Sequence, residues 1–312
     1  MQILVSGSLA YDKIMNFPGY FKDHIIPEKI HSLNVSFMVE NLNENFGGTA
    51  GNIAYGLALL GEHPIILAAA GNDFTNYQEW LEAQGVKTEM IKVVSDEKTA
   101  FANIMTDQAD NQITAFYPGA MKYTGGDIPD DLLKESLAII SPGHIEDMKN
   151  YPAIYRESNV PFIFDPGQQI PALSADDLRN GIHGAKILMS NDYELSLIMK
   201  KTGWDENKIL EKAEIIVTTL GEKGSQIKTK EIGFSIPPAK AENTSDPTGA
   251  GDAYRAGFIK GIVSGWPLDM CGRFAGVVSC YTVEKYGTQT HKFNLEEVAE
   301  RYSKNFDDQL PI

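Results

Sequence analysis

The stretch DPTGAGDAYRAGF, residues 246–258, sets small, turn-forming residues beside two acids and then resumes an apolar rhythm. Gly249 and Gly251 permit backbone dihedrals that other residues resist, and they let a ligand come close to the main chain. The segment after them, AYRAGFIKGIV, has helical spacing and predicts a helix over 250–264. The N–H groups of 249–252 then have no intrahelical acceptor and sit at the positive end of the helix dipole. Gly249, Ala250 and Gly251 thus outline an anion site made without basic side chains. Asp252 in that place reads in two ways. It is a helix-start acid that favours the dipole, or a general base beside a bound phosphate, taking the proton of an attacking hydroxyl. Spacing alone does not choose between them.

Working outward, nearly continuous apolar runs at 3–8, 64–69, 137–141, 161–165, 185–190 and 214–219 read as buried parallel strands. Between them lie helical patterns at 49–60, 73–84, 147–158 and 192–200, with long ones at 250–264 and 268–285. That alternation predicts an α/β fold, a doubly wound, mostly parallel sheet flanked by helices, in one domain over 1–312. Two stretches break the rhythm. Residues 13–45 show no helix but carry β-prone pieces such as HSLNVSFMV, and 98–118 read as a hairpin turning at DQADN. Together they form a candidate small β lid, apolar through Phe37, Phe101 and Phe116.

Charge narrows the function. With 42 acidic against 27 basic residues, net −15, the surface repels nucleic acid and anionic membranes. No run of ~18 apolar residues exists to span a bilayer, and MQILVSGSLAYD reads as a first buried strand rather than a signal peptide. A cytoplasmic protein is expected. Cys271 and Cys280 lie on opposite faces of one helix and read as buried free thiols. The six histidines show no zinc-ligand spacing. GSLAYD after the first strand lacks the G-x-G-x-x-G of dinucleotide-binding folds.

The stretch at 246–258 resembles the C-terminal signature of the ribokinase-like, or PfkB, carbohydrate kinases. FGGTAGNIAYGLALLG, 46–61, resembles that family's N-terminal Gly-Gly…Asn signature, and the two stand about 200 residues apart in the right order. The flavour of NVSFMVENLNENFGG and DNQITAFYPGAM is most similar to the adenosine and nucleoside kinase branch. The resemblance implies ATP and Mg²⁺ as cofactors and Asp252 as the catalytic base. It implies sugar contacts at Ser8, Asp12, Gly48, Thr49 and Asn52, and it makes the lid phenylalanines candidates for stacking on a base. NDYE, 191–194, matches the family's N-x-x-E motif, so Asn191 and Glu194 would organise Mg²⁺ through water; Asn191 as a plain helix cap is the other reading. Thr219, Gly221 and Gly224 in TTLGEKG would line ATP, or form an ordinary turn. Asp246 would help a monovalent cation site such as K⁺. Arg255, one turn beyond Asp252, would touch a phosphate or be a solvated helix residue, the commoner case at that spacing. The implied partner is a small-molecule nucleoside or sugar, with the protein a monomer or a homodimer through the lid.

Overall fold

The computed structural model describes every residue except Leu33, Asp110 and Ile312. The chain starts with β1 (Gln2–Ser6) and passes into β2 (Ala10–Asn16), β3 (Asn41–Gly47) and α1 (Thr49–Leu59). Next come β4 (Ile65–Gly71), α2 (Thr75–Ala83), β5 (Ile91–Val94), and the hairpin β6 (Ala100–Thr106) and β7 (Gln112–Tyr117). A strand–helix series follows: α3 (Asp130–Leu133), β8 (Ser136–Ile140), α4 (Ile145–Glu157), β9 (Phe162–Phe164), α5 (Ala175–Ile182), β10 (Ile187–Asn191) and α6 (Asp192–Thr202). The chain closes with α7 (Glu206–Leu210), β11 (Ile215–Thr219), β12 (Ser225–Lys228), β13 (Gly233–Ile236), α8 (Ala250–Val263), α9 (Leu268–Val283) and α10 (Leu295–Phe306).

The main sheet has the order β13-β12-β11-β10-β9-β8-β1-β4-β5, parallel from β11 through to β5, with β12 and β13 antiparallel at one edge. Side chains alternate between its faces. Ile3, Val5, Ile139, Ile187 and Val217 pack with α1, α8 and α9, while Leu4, Ile140, Phe164, Leu188 and Ile216 pack with α4, α5 and α6. Burial on both faces is why these strands read as unbroken apolar runs. The fold is α/β with a mixed, mostly parallel sheet between helical layers, as expected. The β12–β13 hairpin, SQIK and GFSI, is too short and polar to have stood out. Both cysteines are buried and free, and no helix among the described residues is long and apolar enough to cross a membrane.

A second, four-stranded sheet has the order β3-β2-β6-β7 and comes from the two irregular stretches. Its hairpin β6–β7 turns where expected. The other pair differs. NVSFMV, 34–39, is not a strand, and Leu33 lies outside the described residues; the pairing edge of β2 is taken by β3, with Gly47 opposite Ala10 and Asn41 opposite Asn16. Within that stretch Phe37 packs instead, edge-on to Phe17 and Phe21, 4.9 and 5.2 Å between ring centres, while Met38 is exposed.

Candidate active site

Helix α8 is largely apolar, with Ala253, Tyr254, Ala256, Phe258 and Ile259 buried, so most of it lies in the interior rather than on the surface. Gly249 caps its start at φ +79°, and a β-carbon there would come within 2.9 Å of Thr288 Cγ2. Only glycine makes this turn without strain. The N–H of Ala250 turns back to the Pro247 carbonyl at 3.2 Å, and that of Ala253 to Gly249 at 2.9 Å. Gly251 and Asp252 are left with N–H groups that find no acceptor among the described residues. They point from the helix start into an open cavity of about 450 Å³, lined by Asp165, Asn191, Glu194, Thr219, Gly221, Asp252 and Arg255.

The Asp252 carboxylate sits half-buried at that opening. Burial pushes its pKa up to about 6, with Asp165 and Asp12 adding to the rise and Arg255 and Asn52 opposing it. Asn52, one turn into α1, donates from Nδ2 to Asp252 Oδ2 at 2.8 Å. The two signature motifs, 200 residues apart in sequence, thus meet through one hydrogen bond. Ser8 and Thr49 spend their hydroxyls on each other and on the strand ends. Their oxygens are 3.3 Å apart, Thr49 Oγ1 donates to the Pro142 carbonyl at 2.8 Å, and Ser8 Oγ accepts from Thr49 N–H at 3.0 Å. Gly48 caps α1 against the Ser8 carbonyl. Ser8 and Gly48 thereby tie β1 to the start of α1, and Thr49 itself lines the cavity that holds Asp252.

Asp12 stands on β2 beside this junction. A β-carbon on Gly47 would meet its Oδ2 at 2.6 Å, which is the reason for glycine there. Burial raises the Asp12 carboxyl to about 6 as well. The strand register then sorts the lid candidates. Asp12 pairs with Ala102, and Ala102 with Phe116, so Asp12 and Phe116 share a face. Tyr11 pairs with Phe101, which faces the other way and lies beneath the Lys13 ammonium. Phe101 therefore does not join Asp12, and Phe37, in its own ring cluster, does not either. The one-residue offset between Phe101 and Ala102 decides this, since adjacent strand residues point to opposite faces.

On the nucleotide side, Asn191 is the N-cap of α6. Its side chain accepts from Glu194 N–H, and Glu194 Oε2 accepts from Asn191 N–H, both at 2.8 Å. Glu194 keeps its second oxygen without a partner among the described residues, and burial raises its pKa. Thr219 and Gly221 line the cavity; Gly224 lies off it, packed against the Ile236 carbonyl. Asp246 spends both oxygens on backbone N–H groups, Thr248 at 2.9 Å and Gly287 at 3.0 Å, and so ties the α8 approach to the loop after α9. Among the described residues no cluster of three or more acidic, histidine or cysteine side chains could hold a metal by itself.

A model of the pfkB family of carbohydrate kinases matches residues 10–294. The chain belongs to the PfkB carbohydrate kinase family. It is 32% identical over 306 residues to a nucleoside kinase of Methanocaldococcus jannaschii, covering 97% of each chain. Among solved structures, a nucleoside kinase of Burkholderia thailandensis in complex with inosine is 36% identical with a TM-score of 0.85, covering 98% of this chain and 99% of that one. The Methanocaldococcus jannaschii nucleoside kinase superposes with a TM-score of 0.87 at 30% identity, covering 97% and 99%. The nucleoside kinase branch is thus the part of the family this chain resembles most, and at family level it is an ATP-dependent kinase of a ribose- or nucleoside-like substrate.

Two residues of this PfkB-family site escaped the sequence reading. Arg255 is not solvated but buried, pairing with both oxygens of Asp165 (2.6 Å from Nη2 to Oδ1) and donating from Nη1 to the Gly251 carbonyl at 2.9 Å. The sequence held two signals. Arg255 stands among apolar neighbours in a largely apolar helix, and Asp165 ends an otherwise apolar strand run, PFIFD. A buried charge on such elements needs a partner.

Proposed function

We propose that this chain transfers the γ-phosphoryl group of ATP to the 5′-hydroxyl of a purine nucleoside, adenosine being the first choice. The carrying observation is the placement of Asp252. A half-buried carboxylate stands beside free N–H groups at a glycine-capped helix start, within a cavity that continues to Asn191 and Glu194. The family membership and the nucleoside kinases most similar to the chain support the same chemistry. The acceptor hydroxyl gives its proton to Asp252 as its oxygen forms a bond to the γ-phosphorus. The bond from that phosphorus to the β-γ bridging oxygen breaks, ADP leaves, and the proton passes to solvent. The Gly251 and Asp252 N–H groups are aimed at charge on the moving group. Glu194, and Asn191 beside it, suit Mg²⁺ held mainly by phosphates and water, because a free carboxylate oxygen faces the cavity without a protein cage around it. When bound there, the ion supplies neutralising charge on the phosphates.

Asp12 is suited to grip ring hydroxyls, since a carboxylate accepts two donors. Its face of the small sheet carries Ile14, Asn43, Asn45, Ala102, Ile104 and Phe116, with no basic side chain. Lys13 faces the other way, 3.3 Å from Glu44, and Lys98 bonds Asn72 at 2.9 Å; the Lys29 side chain lies outside the described residues. An uncharged acceptor with a flat base fits that face better than a sugar phosphate does. The structure of the Burkholderia relative with inosine favours a purine. In this reading the small sheet, from about 13–45 and 98–118, closes as a lid and keeps water from competing as acceptor. ADP release measured with adenosine, inosine, cytidine, ribose and fructose 6-phosphate tests the assignment. Turnover fastest on the sugars would shift it to a sugar kinase. ATP binding with no acceptor-dependent ADP release would make it a non-catalytic relative.

A further inference from the structure

Behind Asp252 runs a partly buried chain of amides whose polarity is forced by an indole. The Trp80 Nε1–H on α2 is a donor only, and it donates to Gln289 Oε1 at 3.2 Å. Gln289 must therefore turn its NH₂ the other way, where it donates to Asn52 Oδ1 at 3.1 Å and to the Tyr77 hydroxyl at 2.5 Å. Asn52, its oxygen now taken, can offer Asp252 only its own NH₂. Tyr77, in turn, donates to the Gly47 carbonyl at the end of β3 at 2.9 Å. Gln289 is 5% exposed and holds a left-handed backbone, φ +59°. A non-glycine residue persists there only when its surroundings hold it in place.

We propose that Gln289 is a positioning residue that, oriented by Trp80, locks the Asn52 amide as a donor to Asp252 Oδ2 and leaves Oδ1 to receive the acceptor proton. The inference rests on Asp252 being the base. If the Asn52 amide turned over, it would present an oxygen to the carboxylate. That would repel the charged form and favour a proton on Oδ2 instead of Oδ1. The other charged and titratable groups around Asp252 are Arg255 on its own helix, Asp165 at the end of β9, and Asp12 on β2, with Tyr77 on α2 behind. Gln289 is neutral, so it acts on this set by orientation rather than charge.

The test compares Gln289→Leu, Gln289→Glu and Trp80→Phe with the parent. It reads the pH dependence of kcat and kcat/KM with ATP and adenosine, and the carboxyl titration of ¹³C-aspartate-labelled protein by NMR. Losing a donor to a carboxylate moves its titration by about one unit. Gln289→Leu is expected to move the acid limb and the Asp252 resonance up by that amount and to lower kcat about 10-fold, with KM for adenosine within about twofold. Trp80→Phe is expected to shift the limb the same way by roughly half as much. The proposal is overturned if Gln289→Leu leaves limb and kcat in place, if only KM moves, or if Gln289→Glu alone shifts the titration, since that shift would be Coulombic. Asp252→Asn separates the two levels. An active Asp252→Asn protein removes the base itself, whereas an inactive one with an unmoved Gln289→Leu limb removes only the positioning role.

Discussion

Replacing Arg255 with methionine isolates the buried ion pair behind the site. Asp165 is 1% exposed and receives two of the guanidinium's hydrogen bonds. Methionine fills most of the volume but leaves that carboxylate buried without a counter-charge. Breaking such a pair from one side costs about 3–5 kcal/mol, because the surviving charge keeps its desolvation penalty and loses its compensation. At about 2 °C per kcal/mol for a long chain, Arg255→Met should melt about 6–10 °C below the parent. The double variant Asp165→Leu/Arg255→Met removes both charges and should recover most of that loss. Calorimetry of the ligand-free protein at neutral pH reads both. A second effect follows at Asp252. Arg255 opposes the upward push of burial on that carboxyl, so its loss should move the acid limb of kcat/KM above its position near pH 6. An Arg255→Met protein melting within 2 °C of the parent, with an unmoved limb, would refute the reasoning on both counts.

Asp252→Asn should lower turnover by at least ~10²-fold, the low end for losing a general base, in an ATP and adenosine assay. Because burial raises the folded Asp252 pKa from the ordinary carboxylate range to about 6, the folded state binds that proton more tightly than the unfolded chain. Its contribution to stability is present at low pH and is lost as pH rises from about 4 through about 6. Asp252→Asn should therefore narrow the difference in melting temperature between pH 4 and pH 8, and an unchanged difference would show that the carboxyl is not desolvated. Gly249→Ala forces a β-carbon into the left-handed turn and toward Thr288. It should cost about 1–2 kcal/mol and reduce kcat by tilting the helix start, which thermal melts and steady-state rates would check. Phe116→Ala should raise KM for the nucleoside, while Phe101→Ala, on the opposite face, should lower the melting temperature and leave that KM unchanged. The reverse pattern would place the base-binding face on the wrong side of the small sheet.

What one sequence can determine here follows from range. Strand runs such as AKILMS and EIIVTT, the helix start at Gly249–Asp252, and the capping pattern at Asn191 and Glu194 depend on neighbours within a turn or a strand. Local sterics and burial periodicity write these directly into the chain, and so they could be read from it. The pairing of Arg255 with Asp165, the line from Trp80 through Gln289 to Asn52, and the separation of Phe101 from Phe116 depend on other things. They are set by which strand lies beside which, and in which register. A charge on a helix looks alike in sequence whether water or a distant carboxylate surrounds it. A shift of one residue in strand pairing turns every side chain to the other face. Only the packed tertiary structure, where segments about 90 to 240 residues apart come into hydrogen-bond reach, decides those questions.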